Sequence, residues 1–296
     1  MDIKKYETLV RVIEQGSITR ASDTLGCTQS SVSQTINNLE TEFGFPILIR
    51  SRTGIRLTPE GEKILPAIRG ILSSSEQLNQ IVSSIRGLDT GIVRIGTFSS
   101  VGVHWLPGMI KEFAEIYPDI ELNLMSGDYY DVEQWLKDGS IDLGFIALPS
   151  AVNCRTFPLM EDRLLAVLPV GHRLAELDQV PLVELRDETF ISLLAASDQD
   201  VRRVLESVGI RPKVKYKTKD DYAIISMVEN GLGISIMPEL LLQGHHSNVV
   251  TRPTFPGVQR VIALAVPDSS EFSPAVQAFA LHVRKWVSRN CVKESR

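Results

Sequence analysis

The chain has 296 residues, 43% hydrophobic and 23% charged, with a net charge of −5. This length supplies two or three domains, each able to bury a core, and the composition excludes disordered and collagen-like chains. No apolar run approaches the roughly 20 residues that span a bilayer, and the first residues form no apolar leader, so a cytoplasmic protein without membrane contact is expected. Three widely separated cysteines (Cys27, Cys154, Cys291) make neither a disulfide framework nor a zinc ribbon, and whether Cys154 or Cys291 senses redox state stays open.

Charge is unevenly distributed. Residues 1–90 carry ten basic and ten acidic side chains, whereas the rest carries 21 and 26. Arg50, Arg52 and Arg56 fall within seven residues and form a local basic feature in an otherwise balanced segment.

The first elements read as short helices. Ile3, Tyr6, Leu9, Val10 and Ile13 have helical spacing up to Gly16. Ser17 caps a second helix with Ala21 and Leu25 inward, and Thr28 caps a third whose stripe is Val32, Ile36, Leu39 and Phe43. The short turn around Gly26 joins the two as a helix-turn-helix. On the third helix Gln29, Ser30, Ser33, Gln34 and Asn37 form a polar face with no charge before Glu40. Hydroxyls and amides there suit phosphate contact and base reading, although a plain solvated face has the same spacing. Ile47–Arg50 and Ile55–Leu57 flank a glycine-containing turn, which predicts a basic β-wing.

Thr58-Pro59 opens a long helix. Ile64, Ile68, Ile71, Ser75, Leu78, Val82 and Ile85 alternate spacings of four and three, an a/d seam for a second copy of the chain, with Pro66 as a bend. Packing of the same residues on their own chain is the competing reading.

From Gly91 onward strands alternate with helices, predicting α/β subdomains. The strand candidates are 93–97, 120–125, 141–147, 164–168, 214–217, 234–237 and 261–266, and the helices are 105–117, 131–137, 200–208, 222–229 and 274–287. Gly127-Asp128-Tyr129 and Asp220-Asp221-Tyr222 each lead through a helix and a glycine into a strand. Two similar halves facing each other would leave a crevice suited to a small ligand. No catalytic, dinucleotide-binding or metal-ligand motif is present, no cofactor is expected, and His245-His246 lies in a loop without ligand spacing.

With these parts in place, the chain resembles LysR-type transcriptional regulators along essentially its whole length. The segments that carry the likeness are Gly16-Ser17-Ile18-Thr19-Arg20-Ala21-Ser22, Leu25-Gly26-Cys27-Thr28-Gln29-Ser30-Ser31-Val32-Ser33-Gln34-Thr35-Ile36 and Ile47-Leu48-Ile49-Arg50 through Leu57-Thr58-Pro59-Glu60-Gly61. Leu106-Pro107 and Gly231-Leu232-Gly233-Ile234 are weaker landmarks further on.

The resemblance implies an α/β protein: a winged helix-turn-helix over 1–58, a linker dimerisation helix over 59–90, and a periplasmic-binding-protein-like effector domain of two Rossmann-like halves over 91–296. One half comprises 91–161 and 268–296, the other 162–267. It implies a non-enzymatic homotetrameric regulator that binds operator DNA, a small effector (an organic anion) and RNA polymerase. Matched positions assign Gln29, Ser30, Ser33, Gln34, Arg50 and Arg52 to DNA, and Ser99 and Ser100 to an effector carboxylate. Asp128, Tyr129, Asp221 and Tyr222 complete the expected effector site. Asp128 stands where many members carry Ser or Thr, which argues against a simple dicarboxylate. The rival class is a small-molecule-binding protein or enzyme merely tethered to DNA by its N-terminal module.

Overall fold

The computed structural model describes residues 2–51, 54–86, 89–194, 199–244, 248–267 and 273–291. The chain divides into two compact units, the first comprising Met1–Gly91 with Lys137–Ser140 and Glu271–Pro274, the second the remainder.

The first unit contains α1 (Ile3–Gln15), α2 (Ile18–Leu25), α3 (Gln29–Phe43), the hairpin strands β1 (Leu48–Ser51) and β2 (Gly54–Leu57), and α4 (Pro59–Ile85). The predicted caps form. Ser17 accepts from the Arg20 amide and Thr28 from the Ser31 amide, each satisfying a donor that the first helical turn leaves unpaired. Gly26 closes α2 at φ 63°, a left-handed conformation that costs a residue with a Cβ but not glycine. Tyr6, Leu9, Val12, Ala21, Val32, Ile36 and Leu39 then meet in one core with Ile47 and Leu48 of the hairpin. Each large side chain fully buried there contributes roughly 1.5–3 kcal/mol.

The long helix α4 divides the expected seam residues into two groups. Ile68 is 3% exposed within this same core, and Ile64 and Ile71 pack against it. Ile68 is therefore covered by its own chain and Ile64 and Ile71 stay half-buried at the edge, because the first turns of α4 complete the small helical core. Beyond them the stripe emerges into solvent, with Leu78 61% and Ile85 80% exposed and Ile81 and Val82 also uncovered.

The second unit contains, in order, β3 (Gly91–Thr97), α5 (Ser99–His104), α6 (Leu106–Ile116), β4 (Ile120–Ser126), α7 (Tyr129–Asp138), β5 (Leu143–Leu148), β6 (Cys154–Pro169), β7 (Val180–Pro181), β8 (Thr189–Leu193), α8 (Gln199–Ser207), β9 (Lys213–Thr218), α9 (Asp221–Glu229), β10 (Ser235–Pro238), α10 (Glu239–Leu242), β11 (Val249–Phe255), β12 (Gln259–Pro267) and α11 (Pro274–Asn290). β3 to β6, β10 to β12 and the short β7 form one eight-stranded mixed sheet, and β8 pairs with β9 in parallel.

The sheet is continuous because β6 runs for sixteen residues. Its first part pairs antiparallel with β12, and its last part pairs antiparallel with β10 and β11. Only 164–168 stands out in the sequence as a strand, since Cys154–Arg163 alternates irregularly with polar residues. On either side of this shared strand lie separate cores. One gathers Val132, Leu136, Ile141 and Ile146, and others gather Leu168, Leu205 and Ile234, and Ile224, Ile225 and Met237. Three strands, β7, β8 and β11, and two short helices, α5 and α10, carry too few periodic residues to stand out in the sequence.

Candidate functional site

The polar face of α3 is displayed as its periodicity requires. Gln29, Ser30, Gln34 and Asn37 are exposed and Ser33 is half-buried. Thr28 fixes the start of the helix, and the Glu40 carboxylate fixes the wing by accepting from the Ile47 and Leu48 amides at 2.7 and 3.1 Å. The hairpin is held from the other side by the Ile55 amide donating to the Gly16 carbonyl at 3.2 Å. Two polar contacts order the face itself: Gln34 donates to Asn38 at 2.9 Å and Arg50 donates to Asn37 at 3.2 Å. Arg50 and Arg56 are exposed, so helix amides and wing guanidinium groups lie within one unit. Arg52 lies outside the described residues, as do His245 and His246.

The second site is a cavity of about 290 Å³ inside the second unit. Ser99, Ser100, Asp128, Tyr129 and Asp221, five of the six residues expected there, line it. Tyr222 does not. It packs on the apolar cluster around Ile224 and Ile225, because one residue along α9 turns its side chain by about 100°.

Asp128 also has a structural part. It lines the cavity but is engaged in a reciprocal cap at the start of α7. The Asp131 amide donates to Asp128 at 2.9 Å and the Asp128 amide to Asp131 at 3.0 Å. Asp128 thus accepts from a backbone donor as the cap of α7 while it lines the cavity. Asp220 caps α9 in a similar way, accepting from the Tyr222 and Ala223 amides, which leaves Asp221 facing the cavity.

The centre of the cavity wall is Arg260, a residue without a sequence signal. It stands on β12 directly across from Asp162 on β6 and is 3% exposed. Its Nε and Nη2 donate to Asp162 Oδ2 at 2.9 and 2.6 Å, Nη2 also to the Ser100 hydroxyl at 2.7 Å, and Nη1 to the Tyr129 hydroxyl. Asp162 Oδ1 accepts from the Leu240 amide at 2.9 Å. This network joins α5, α7 and α10 to the long central strands. Tyr129 meets Phe98 edge-on, with ring centroids 4.9 Å apart, and the Arg260 guanidinium lies 5.1 Å from the Phe98 ring centre.

Burial sets the protonation states. It holds the Tyr129 phenol well above its ordinary range, so the hydroxyl stays protonated. Burial also raises the Asp200 carboxyl against the pull of Arg260 and Arg203, and it raises Asp221 against a hydrogen bond from Ser99. Asp200, in the first turn of α8, is a second cavity residue that the sequence did not single out. Among the described residues, no group of His, Cys, Asp or Glu is arranged to hold a metal. No described helix is long and apolar enough to cross a membrane. Cys27, Cys154 and Cys291 are free thiols, and burial pushes Cys291 up to about 11, so it is a poor thiolate source.

Residues 3–62 match the family described as bacterial regulatory helix-turn-helix protein, lysR family, and residues 86–288 match the LysR substrate binding domain. The HTH-type transcriptional regulator YvbU of Bacillus subtilis is 32% identical over 282 residues, covering 94% of this chain and 96% of its own. A full-length OxyR structure from Pseudomonas aeruginosa shares the fold with a TM-score of 0.79 at 22% identity, over 99% of this chain and 96% of that one. The effector binding domain of QuiR, solved in complex with shikimate, gives a TM-score of 0.62 at 24% identity, over 68% of this chain and 99% of that one.

Proposed function

The chain belongs to the LysR family of transcriptional regulators, and from that premise we propose which of its residues read DNA, which hold the effector and which join the subunits. The family consists of regulators and not enzymes, with a DNA-binding helix-turn-helix and an effector-binding domain. In this chain Gln29, Ser30, Ser33, Gln34 and Asn37 contact the operator, with Gln34 and Asn37 reading base edges. Arg50 and Arg52 neutralise phosphates from the wing. The observation that carries this assignment is an exposed, uncharged amide and hydroxyl face flanked by exposed arginine.

The effector is a small organic acid bound in the cavity lined by Ser99, Ser100, Asp128, Tyr129 and Asp221. Hydroxyls and the exposed Lys219 supply its anion-binding groups. That QuiR, a protein of the same fold, was solved with shikimate agrees with a carboxylic acid of this size. Self-association uses the uncovered end of α4 at Leu78, Val82 and Ile85, and the assembly is a tetramer that contacts RNA polymerase in the cytoplasm. The domain limits proposed are 1–58, 59–90 and 91–296, with halves 91–161 plus 268–296 and 162–267.

Genomic footprinting with the full chain tests this reading. Protection of a discrete near-palindromic site, lost in Gln34→Ala with Ser33→Ala, is the expected result. Protection that shows no sequence preference, or is unchanged by that pair of substitutions, contradicts it.

A further inference from the structure

Asp200 is out of place in a site built only for an acid. It is 8% exposed; its Oδ1 meets Arg203 at 3.4 Å, and the Tyr129 hydroxyl and the Arg260 guanidinium also act on its carboxyl. Its Oδ2 is buried in the cavity wall and has no partner within hydrogen-bond distance among the described residues. Buried polar oxygens are nearly always satisfied, so a carboxylate oxygen left open toward a cavity marks a place for an incoming donor.

The neighbouring cations do not fill that place. All three guanidinium nitrogens of Arg260 are engaged with Asp162, Ser100 and Tyr129, and Lys219 is exposed. Asp221 adds a second partly buried carboxylate to the same wall. Asp128 and Asp131 are committed to the α7 cap. The wall thus offers an acceptor-rich side formed by α8 and α9, opposite in character to the hydroxyls of Ser99 and Ser100.

We propose that the effector carries a cationic nitrogen in addition to its acid group, donating to Asp200 Oδ2 within the negative field of Asp221: a compact zwitterion of the amino-acid type. The inference rests on the effector-site reading above. An ammonium group has three donors and no acceptor, which matches an open carboxylate oxygen as a hydroxyl does only in part. A cavity of about 290 Å³ lies at the small end of ligand sites and suits a molecule of that size. The raised Asp200 and Asp221 carboxyls agree, since burial disfavours their charged forms and a cation bound beside them would lower both again.

The test uses the full chain, the twenty standard amino acids, and for each the 2-hydroxy acid in which a hydroxyl replaces the amine. Thermal shift finds binders and calorimetry ranks them. The expected result is binding of one or more amino acids about 30-fold or more tighter than the matched hydroxy acid. That factor corresponds to loss of one partner from a buried charge pair. In Asp200→Asn the preference disappears while hydroxy-acid affinity is kept, and Asp221→Asn, at a less buried position, weakens the same preference. A hydroxy acid that binds as tightly as its amine-bearing partner overturns the proposal, as does a preference undiminished in both variants or the absence of any amino-acid binding. Hydroxy acids that bind alone leave the organic-acid cavity standing and remove only the cationic group. If neither set binds, the cavity assignment fails as well, while footprinting still reports on DNA recognition.

Discussion

Replacing Arg260 by methionine removes the one guanidinium at the centre of the effector domain and leaves its partner stranded. Asp162 would keep a single donor, the Leu240 amide, while its Oδ2 loses both contacts at 2.6 and 2.9 Å. Both side chains are at most 3% exposed, so water cannot take over. Breaking a buried pair by removing one partner costs about 3–5 kcal/mol, chiefly the penalty of the uncompensated charge. For a unit of this size each kcal/mol lowers the melting temperature by about 2–4 °C, so a fall of about 6–20 °C is expected. The three tryptophans, Trp105, Trp135 and Trp286, all lie in the second unit, so intrinsic fluorescence follows that unit selectively. Asp162→Leu alone should be comparably destabilised. The double variant should recover most of the loss, because a buried pair replaced by apolar groups is often neutral. A single variant that loses less than about 1 kcal/mol, or a double variant whose losses simply add, would refute the view that the pair acts as one buried unit.

On DNA, Arg50→Ala should weaken binding to all sequences and reduce the salt slope by about 0.9, whereas Gln34→Ala should relax preference with the slope unchanged. Salt-titrated fluorescence anisotropy on matched and scrambled sites separates the two. In α4, Leu78→Asp and Ile85→Asp should shift the assembly to smaller species in light scattering while the fold survives. Ile68→Asp should unfold the first unit, since it places a charge where 3% is exposed. For Asp200 the folded carboxyl lies above its ordinary 3.8. A raised pKa means the contribution is fully present below 3.8 and lost as pH rises through the folded value. The melting temperature of ligand-free Asp200→Asn should therefore gain on that of wild type as pH rises from about 3.8, and a difference independent of pH would count against a buried, strained carboxylate.

The DNA-binding unit was largely legible because its signals are local. Ser17, Thr28 and Gly26 mark helix ends by their own chemistry, and the stripe of Val32, Ile36 and Leu39 fixes by simple rotation which face of α3 is left for Gln34 and Asn37. The α4 stripe was visible in the same way, but periodicity cannot say what covers an apolar face. Only the fold showed that Ile64, Ile68 and Ile71 close their own core and that the stripe is bare from Leu78 onward.

In the effector domain, the turns bearing Ser99, Asp128 and Asp221 could be placed because each sits between a recognisable strand and helix or at a helix start. Their chemistry could not be read there. Asp128 became a cap and Tyr222 came to pack, half-buried, on an apolar cluster through the pitch of α7 and α9. Arg260 and Asp162 lie 98 positions apart and meet only because β12 pairs with β6 in one particular register. Asp200 faces the cavity only because α8 packs beside it. Local propensity and spacing thus determined the elements and their exposed faces. Burial, pairing and charge state depend on contacts between distant segments, and those were decided by the tertiary structure alone.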